Sequence, residues 1–426
     1  MLPNRTPGDR MSVIFEREKN VTASAKILPV HFLRPQMWER HKQTLTPPQK
    51  KFAAQSQFDA KLGKLLRLPD EEGNIACILF GVGEENGIES GPILTGKLSR
   101  ILESGFYKMG TLPDDWHGIL AQIGWGLGAY KYDNYLQDNY EPPILVIEDD
   151  TRIGETRSLV DAIHFGRDLI NMPAGDLGPV ALHKAAEDLA KQYNAQCRAT
   201  VGDELLHKNF PMIHAVGAHA LALSKMIMAN NLPVQLHCLI SIAENAISAG
   251  SYRPGDVLSS RAGLTVEIDN TDAEGRLVMA DALTRAAEEK PVLIMDFATL
   301  TGAARVALGP TLPPFFSNRQ KPVEGVLHQT DRQNDPVWHM PLWQPYNKML
   351  DSPIADMKNA GGSFAGSITA ALFLERFTHD CPWMHFDVYG WNPTARPGHP
   401  KGGEMFAIRA IYHWLKSGGL NGDFSA

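Results

Sequence analysis

The chain is poor in cysteine. Its 426 residues hold four, Cys77, Cys197, Cys238 and Cys381, scattered with no Cys-X-X-Cys pair. Such spacing excludes a disulfide framework and a cysteine-based zinc site, and it fits buried free thiols in a reducing cytoplasm. Positive charge is also in short supply: 41 Lys and Arg against 48 Asp and Glu give a formal net charge of -7 and a pI near 6.1. That balance argues against a nucleic-acid partner. No apolar run approaches the roughly 20 residues of a membrane span. The first twenty residues mix Pro, Arg, Asp and Glu without the apolar core of a secretory signal. The expectation is a cytoplasmic protein with neither membrane nor nucleic acid as partner. Internal repeats and long low-complexity segments are absent too.

What is present is ordinary for a globular scaffold, 43% apolar and 21% charged residues, in a chain too long for one core. Ile75 to Val82 reads as a buried strand whose Gly81-Val82-Gly83 end is a turn more than a phosphate loop. Ile119, Ile123, Leu127 and Tyr130 mark a helix face, and Ile144 to Ile147 a further strand. A helix through Leu159, Ile163 and Ile170 leads out of this region. The boundary is placed near Asp150, giving domains 1–150 and 151–426. Beyond it Val234 to Ile242 alternates as a strand, with Leu236, Cys238 and Ile240 on one side, and Val292 to Phe297 is another. Helix-linked strands of this kind imply an α/β fold with a mixed, mostly parallel sheet flanked by helices, and sites at the carboxyl ends of the strands.

The most informative stretch is Asn270-Thr271-Asp272-Ala273-Glu274-Gly275-Arg276. Leu264 to Ile268 alternates as a strand before it, and Leu277, Ala280, Leu283 and Ala287 have helical spacing after it. Two carboxylates and a guanidinium therefore stand on one turn. Helix capping explains either acid. It does not explain Arg276, because a cation in the first helical turn opposes the dipole unless it has an anionic partner. Carboxylates can hold or bridge divalent ions, and a neighbouring arginine can stabilise an oxyanion.

This heptad resembles the signature of the leucyl aminopeptidase, or cytosol aminopeptidase, family. The likeness extends to Ala298-Thr299-Leu300-Thr301-Gly302-Ala303, to Glu244-Asn245 with Tyr252-Arg253-Pro254-Gly255-Asp256, to Ala365 through Ala371, and to Asn171-Met172-Pro173 through Gly178-Pro179. It implies an N-terminal macro-like α/β domain and a C-terminal metallopeptidase domain. It also implies two divalent ions (manganese, zinc or magnesium), with Asp272 ligating one and Glu274 bridging both. Arg276 would support the tetrahedral intermediate with bicarbonate nearby, and Thr299, Leu300 and Gly302 would line the pocket for the peptide's first residue. The implied reaction is release of N-terminal amino acids by metal-activated water, in a homohexamer.

One part of the family pattern is missing. The segment that supplies a Lys and further Asp ligands and a catalytic Lys is not found; Ile213-His214-Ala215-Val216-Gly217 runs straight into the helical stretch Ala218 to Met226. An internal deletion at 217–218 is the expected cause. Lys225 reads as a solvated lysine on that helix, and His214 and His219 as structural histidines. A non-catalytic peptidase homologue, serving as a structural or regulatory subunit, is therefore the alternative function. Three further groups are weighed: Asp296 as a supporting acid or a helix cap, His385 with Asp387 on one strand face as an acid-histidine pair or, the reading the family likeness favours, as parts of a structural strand, and His399, Lys401 and Glu404 as a surface loop in preference to a site.

Overall fold

Six short apolar segments of the first half, β1 (Phe15–Arg17), β2 (Ile27–Leu33), β3 (Leu65–Pro69), β4 (Ile75–Gly81), β5 (Phe106–Met109) and β6 (Ile144–Ile147), hydrogen-bond in the order β1-β6-β5-β2-β4-β3. All pair in parallel except β3, which runs antiparallel to β4. Val30, Phe32, Ile78, Leu79 and Phe80 on the central strands are buried, as strands covered on both faces require. The chain leaves the ladder after Gly81, and Gly83 takes φ +71; a Cβ on Gly81 would stand 2.2 Å from the Lys61 carbonyl oxygen, so the chain itself occupies that approach. The helix Gly118–Gly128 lies so close to the turn Pro92–Lys97 that a Cβ on Gly128 would reach within 2.0 Å of the Gly96 oxygen. Only glycine fits there.

This computed structural model describes residues 14–85, 90–135, 141–148, 150–202, 204–210, 212, 218–242, 252–422 and 424. The chain divides into two units, Met1–Phe165 with Thr394–Lys401, and Gly166–Pro393 with Gly402–Ala426. The helix Asp150–Asn171 carries the chain from the first to the second. His214, Gly217 and the Glu244-Asn245 pair lie outside the described residues. Among the described residues no helix is long and apolar enough to cross a membrane.

In the second unit β7 (Val257–Ser259), β8 (Thr265–Glu267) and β12 (Met357–Lys358) form one sheet, in the order β12-β8-β7. Strands β9 (Ile294–Ala298), β10 (Pro314–Ser317), β11 (Trp338–His339) and β13 (Trp383–Asp387) form another, ordered β11-β10-β13-β9. The second sheet is mixed: β13 is parallel to β9 and antiparallel to β10. The helix Glu274–Ala287 lays its periodic residues Leu277, Ala280, Leu283 and Ala287 into a core with Val266, Ile294, Phe316, Phe373 and Trp383. Each buried leucine there contributes about 1.5–3 kcal/mol. That packing fixes where the signature turn must sit.

Four expectations are corrected here. Val234 to Ile242 has the alternation of a strand but no ladder partner among the described residues, and Leu236 stays 40% exposed. Alternation sets only the side-chain pattern; a strand also needs a neighbour for its backbone groups. Lys225 is not solvated but 2% exposed, on the helix Ala218–Ala229, which buries everything from Leu221 to Ile227. A helix apolar on every side leaves no face for water. Glu404 is not on a surface loop: it is fully buried, and Arg167 donates to both of its carboxylate oxygens at 3.0 Å. A buried carboxylate persists because a guanidinium neutralises it. Finally, the cysteines are free but not buried as a group, with Cys197 exposed and the other three part-buried.

Candidate active site

The turn after β8 is held from outside by one side chain. Asn359 is fully buried; its Oδ1 accepts from the Asp269 and Asn270 amides at 2.8 and 3.1 Å, and its Nδ2 donates to the Asn270 carbonyl at 2.7 Å. Asn270 Oδ1 in turn accepts from the Asp272 amide at 3.0 Å. The helix begins at Glu274 with Ala273 as its N-cap, a residue with no side chain to offer the free amides. Asp272 is exposed and Glu274 half-buried. Neither acid occupies the N-cap position.

Arg276 is the anomaly the sequence pointed to. It is 7% exposed, yet its Nε and Nη1 have no hydrogen-bond partner among the described residues. Burial pulls its pKa down to about 10, while the charges of Asp387 and Glu274 act in the opposite direction. At neutral pH it remains a cation in a desolvated position, with two donors unused. The cost of an unsatisfied buried donor is about 1–3 kcal/mol.

The pocket segment is tied to this turn. Leu300 Cδ1 lies 3.5 Å from where a Cβ of Gly275 would stand, so the leucine packs on the signature itself. Asp387, 3% exposed, organises the loop beneath. Its Oδ1 accepts from the Leu300 and Thr301 amides at 3.0 and 3.2 Å, and its Oδ2 from the Thr301 and Ser367 hydroxyls at 2.6 and 3.3 Å. Thr301 Oγ1 then caps the helix Gly302–Leu308 by accepting from the Ala304 amide at 3.1 Å. Thr299 and Gly302 are left exposed. Arg276, Glu274, Leu300 and Asp387 thus converge, with Thr299 and Gly302 opening to solvent beside them.

Of the two readings of His385 and Asp387, the acid-histidine pair is not formed. Asp387 turns to the pocket loop, and the partner of His385 is Asp296, whose Oδ1 lies 2.6 Å from His385 Nδ1. The cause is register: β9 and β13 are parallel neighbours that place Asp296 opposite His385. Asp296 also accepts from Trp383 Nε1 at 2.6 Å, so its carboxylate is engaged by two β13 side chains and not by the following helix. Burial disfavours the His385 imidazolium, but the Asp296 carboxylate outweighs it and the pKa rises. Tyr252, part of the Tyr252-Arg253-Pro254-Gly255-Asp256 stretch, had been given no role; burial and then the Glu274 charge raise the pKa of its phenol.

His219, expected to be structural, is 3% exposed and stacks on Phe297 with ring centroids 6.0 Å apart. Its Cε1 stands 3.5 Å, and Thr299 Oγ1 3.8 Å, from where a Cβ of Gly390 would lie, at φ +68. It backs the pocket wall, and its pKa falls to about 4 because burial penalises the charged ring.

Whether these residues fit a two-ion centre can be judged from the donor set. Among the described residues no three His, Cys, Asp or Glu side chains gather where a metal ion could be held. Two divalent ions held roughly 3.5–4 Å apart need more ligands and charge than Asp272 and Glu274 provide. A polar cavity of about 850 Å³, lined by Arg319, Gln344, Glu375, Arg376 and Asp380 among others, contains none of the signature or pocket residues.

Comparison with known proteins shows the family and the fold. Residues 217–412 match the family model described as the cytosol aminopeptidase family, catalytic domain, and residues 28–147 match that of the M17 aminopeptidase N-terminal domain. A probable cytosol aminopeptidase of Geobacter sulfurreducens is 30% identical over 436 residues, covering 84% of this chain and 87% of the relative. One of Syntrophotalea carbinolica is 33% identical over 362 residues, covering 68% and 73%. The crystal structure of a cytosol aminopeptidase from Coxiella burnetii superposes with a TM-score of 0.86 at 33% identity, over 95% of this chain and 98% of that one. A bottromycin maturation enzyme, BotP, solved in complex with Mn, shares the fold at a TM-score of 0.80, with 23% identity over 92% of this chain and 99% of the other.

Proposed function

Because the chain belongs to the cytosol aminopeptidase family, and is a peptidase by that resemblance, we propose that it releases amino acids from the N-termini of peptides in the cytoplasm. Arg276 stabilises the oxyanion of the tetrahedral intermediate, Thr299, Leu300 and Gly302 receive the first side chain, and Asp272 and Glu274 would supply the carboxylates that the described residues can offer to a divalent ion, manganese, zinc or magnesium, which would activate water. The observation that carries this reading is the Arg276 guanidinium, buried with Nε and Nη1 unpartnered. A fold gains nothing from such a group. A site that must meet a developing negative charge does, since donors fixed in place need no reorganisation when the charge appears.

The remaining residues act by position. Asn359 fixes the turn that aims Asp272 and Glu274, Asp387 holds the amides of Leu300 and Thr301, and Leu300 on Gly275 sets the distance between pocket and turn. We propose a homo-oligomer as well, hexameric as the family resemblance implies; Trp338, Trp343, Ile354 and Phe364, between 53% and 81% exposed, are apolar side chains that subunit contact would cover.

The test combines elemental analysis of the purified chain with hydrolysis of leucine p-nitroanilide in added Mn²⁺ or Zn²⁺. Bound metal, turnover, and loss of both on Glu274→Ala are expected. A folded chain with no metal and no turnover would overturn the proposal in favour of a non-catalytic homologue. Sedimentation velocity reads the oligomer in the same preparation.

A further inference from the structure

Arg305 lies in the last turn of the helix Gly302–Leu308, where a cation complements the helix dipole. Its head does not stay there. The guanidinium carbon sits 4.7 Å from the centroid of the Tyr389 ring, and Nη2 lies 3.6 Å from where a Cβ of Gly302 would stand. The side chain reaches back along the helix to the residue that opens it. The Tyr389 carbonyl accepts from Thr299 Oγ1 at 3.5 Å, so the ring under the guanidinium belongs to the residue that also steadies Thr299. Stacking on an aromatic face holds an arginine without using its in-plane donors. No ion pair joins Arg305 to a carboxylate among the described residues. An exposed cation is therefore held, with its hydrogen-bonding edge unspent, over Gly302 and beside Thr299.

We propose that Arg305 is a specificity-determining residue that favours an acidic side chain, aspartate or glutamate, on the first residue of the peptide. The proposal rests on the reading above that Thr299, Leu300 and Gly302 line the pocket for that residue. A carboxylate entering over Gly302 meets the planar guanidinium edge in the two-point geometry that arginine and carboxylate share.

Titration calorimetry with two probes differing only in the side chain, glutamic acid α-amide and leucine amide, tests it without requiring turnover. For a partly exposed pair the wild-type chain should prefer the glutamyl probe by about fivefold. Arg305→Leu, at an exposed position that leaves folding intact, should abolish or reverse that preference while leucine amide still binds. A wild-type chain that binds both probes equally, or a preference that survives Arg305→Leu, overturns the proposal. If neither probe binds the wild-type chain, the pocket reading itself fails and the proposal falls with it. Raising ionic strength should weaken the glutamyl probe alone, as expected of an interaction between partly solvated charges.

Discussion

Asp387 offers the sharpest quantitative consequence of this arrangement. Its carboxylate accepts from the Leu300 amide, the Thr301 amide, the Thr301 hydroxyl and the Ser367 hydroxyl, and is 3% exposed. Asp387→Ala leaves two backbone amides without their acceptor and removes the negative charge that attracts the buried Arg276. An unsatisfied buried donor costs about 1–3 kcal/mol, and hydroxyls can rotate to other partners, so the amides dominate; the sum should be about 3–5 kcal/mol. Asp387→Asn keeps one carbonyl oxygen for the two amides and offers the hydroxyls a donor, so its cost should be about 1–2 kcal/mol. Urea unfolding of the three proteins measures both values. The same variants should raise KM for a leucyl substrate, because the Leu300-Thr301 loop that shapes the pocket is released. A cost below about 1 kcal/mol for the alanine variant would refute the reasoning.

Other consequences are as concrete. His219 is neutral when folded, with a pKa near 4 against 6.5 for the free side chain. The unfolded chain therefore binds a proton that the folded chain does not as pH falls below 6.5. Stability is lost in the window from 6.5 to 4, by about 2 kcal/mol at pH 5, and His219→Phe should flatten that part of the urea-midpoint profile. Glu404→Ala removes the carboxylate to which the fully buried Arg167 donates and should cost about 3–5 kcal/mol, whereas the double change to Met at 167 and Leu at 404 should recover most of it. Asn359→Ala removes four hydrogen bonds to the signature turn and the residue before it, and should cost about 2–3 kcal/mol while weakening Mn²⁺ binding by calorimetry.

Much of this architecture was readable before any coordinates, and the failures share a cause. The signature turn between β8 and its helix follows from a change of hydrophobic period from two to 3.6 at Ile268, and it is where the sequence placed it. The oddity of Arg276 was visible as a cation at the wrong end of a helix. Pairing across strands was not: that His385 meets Asp296 and not Asp387 depends on β9 lying beside β13 in parallel register, a tertiary fact that period-two reasoning along one strand cannot supply. Val234 to Ile242 failed for the same reason, since alternation says nothing of whether a neighbour exists. Lys225 was avoidable. Leu221, Ala222, Leu223, Met226 and Ile227 cover the helix on every side, and a helix without a polar face has no place for a solvated lysine. Glu404 was hidden by its Pro and Gly-rich surroundings, because its partner Arg167 lies far away in sequence.

On the proposed function, Arg276 is kept buried and under-bonded for the sake of a ligand's negative charge. Arg276→Met, similar in reach but apolar, measures this directly when urea unfolding and leucine p-nitroanilide hydrolysis are recorded on the same preparation. The variant should gain about 1–2 kcal/mol of stability, since two unsatisfied donors disappear, and lose about 100-fold or more in turnover. A variant that loses stability by a similar amount, or that turns over at the wild-type rate, would contradict it.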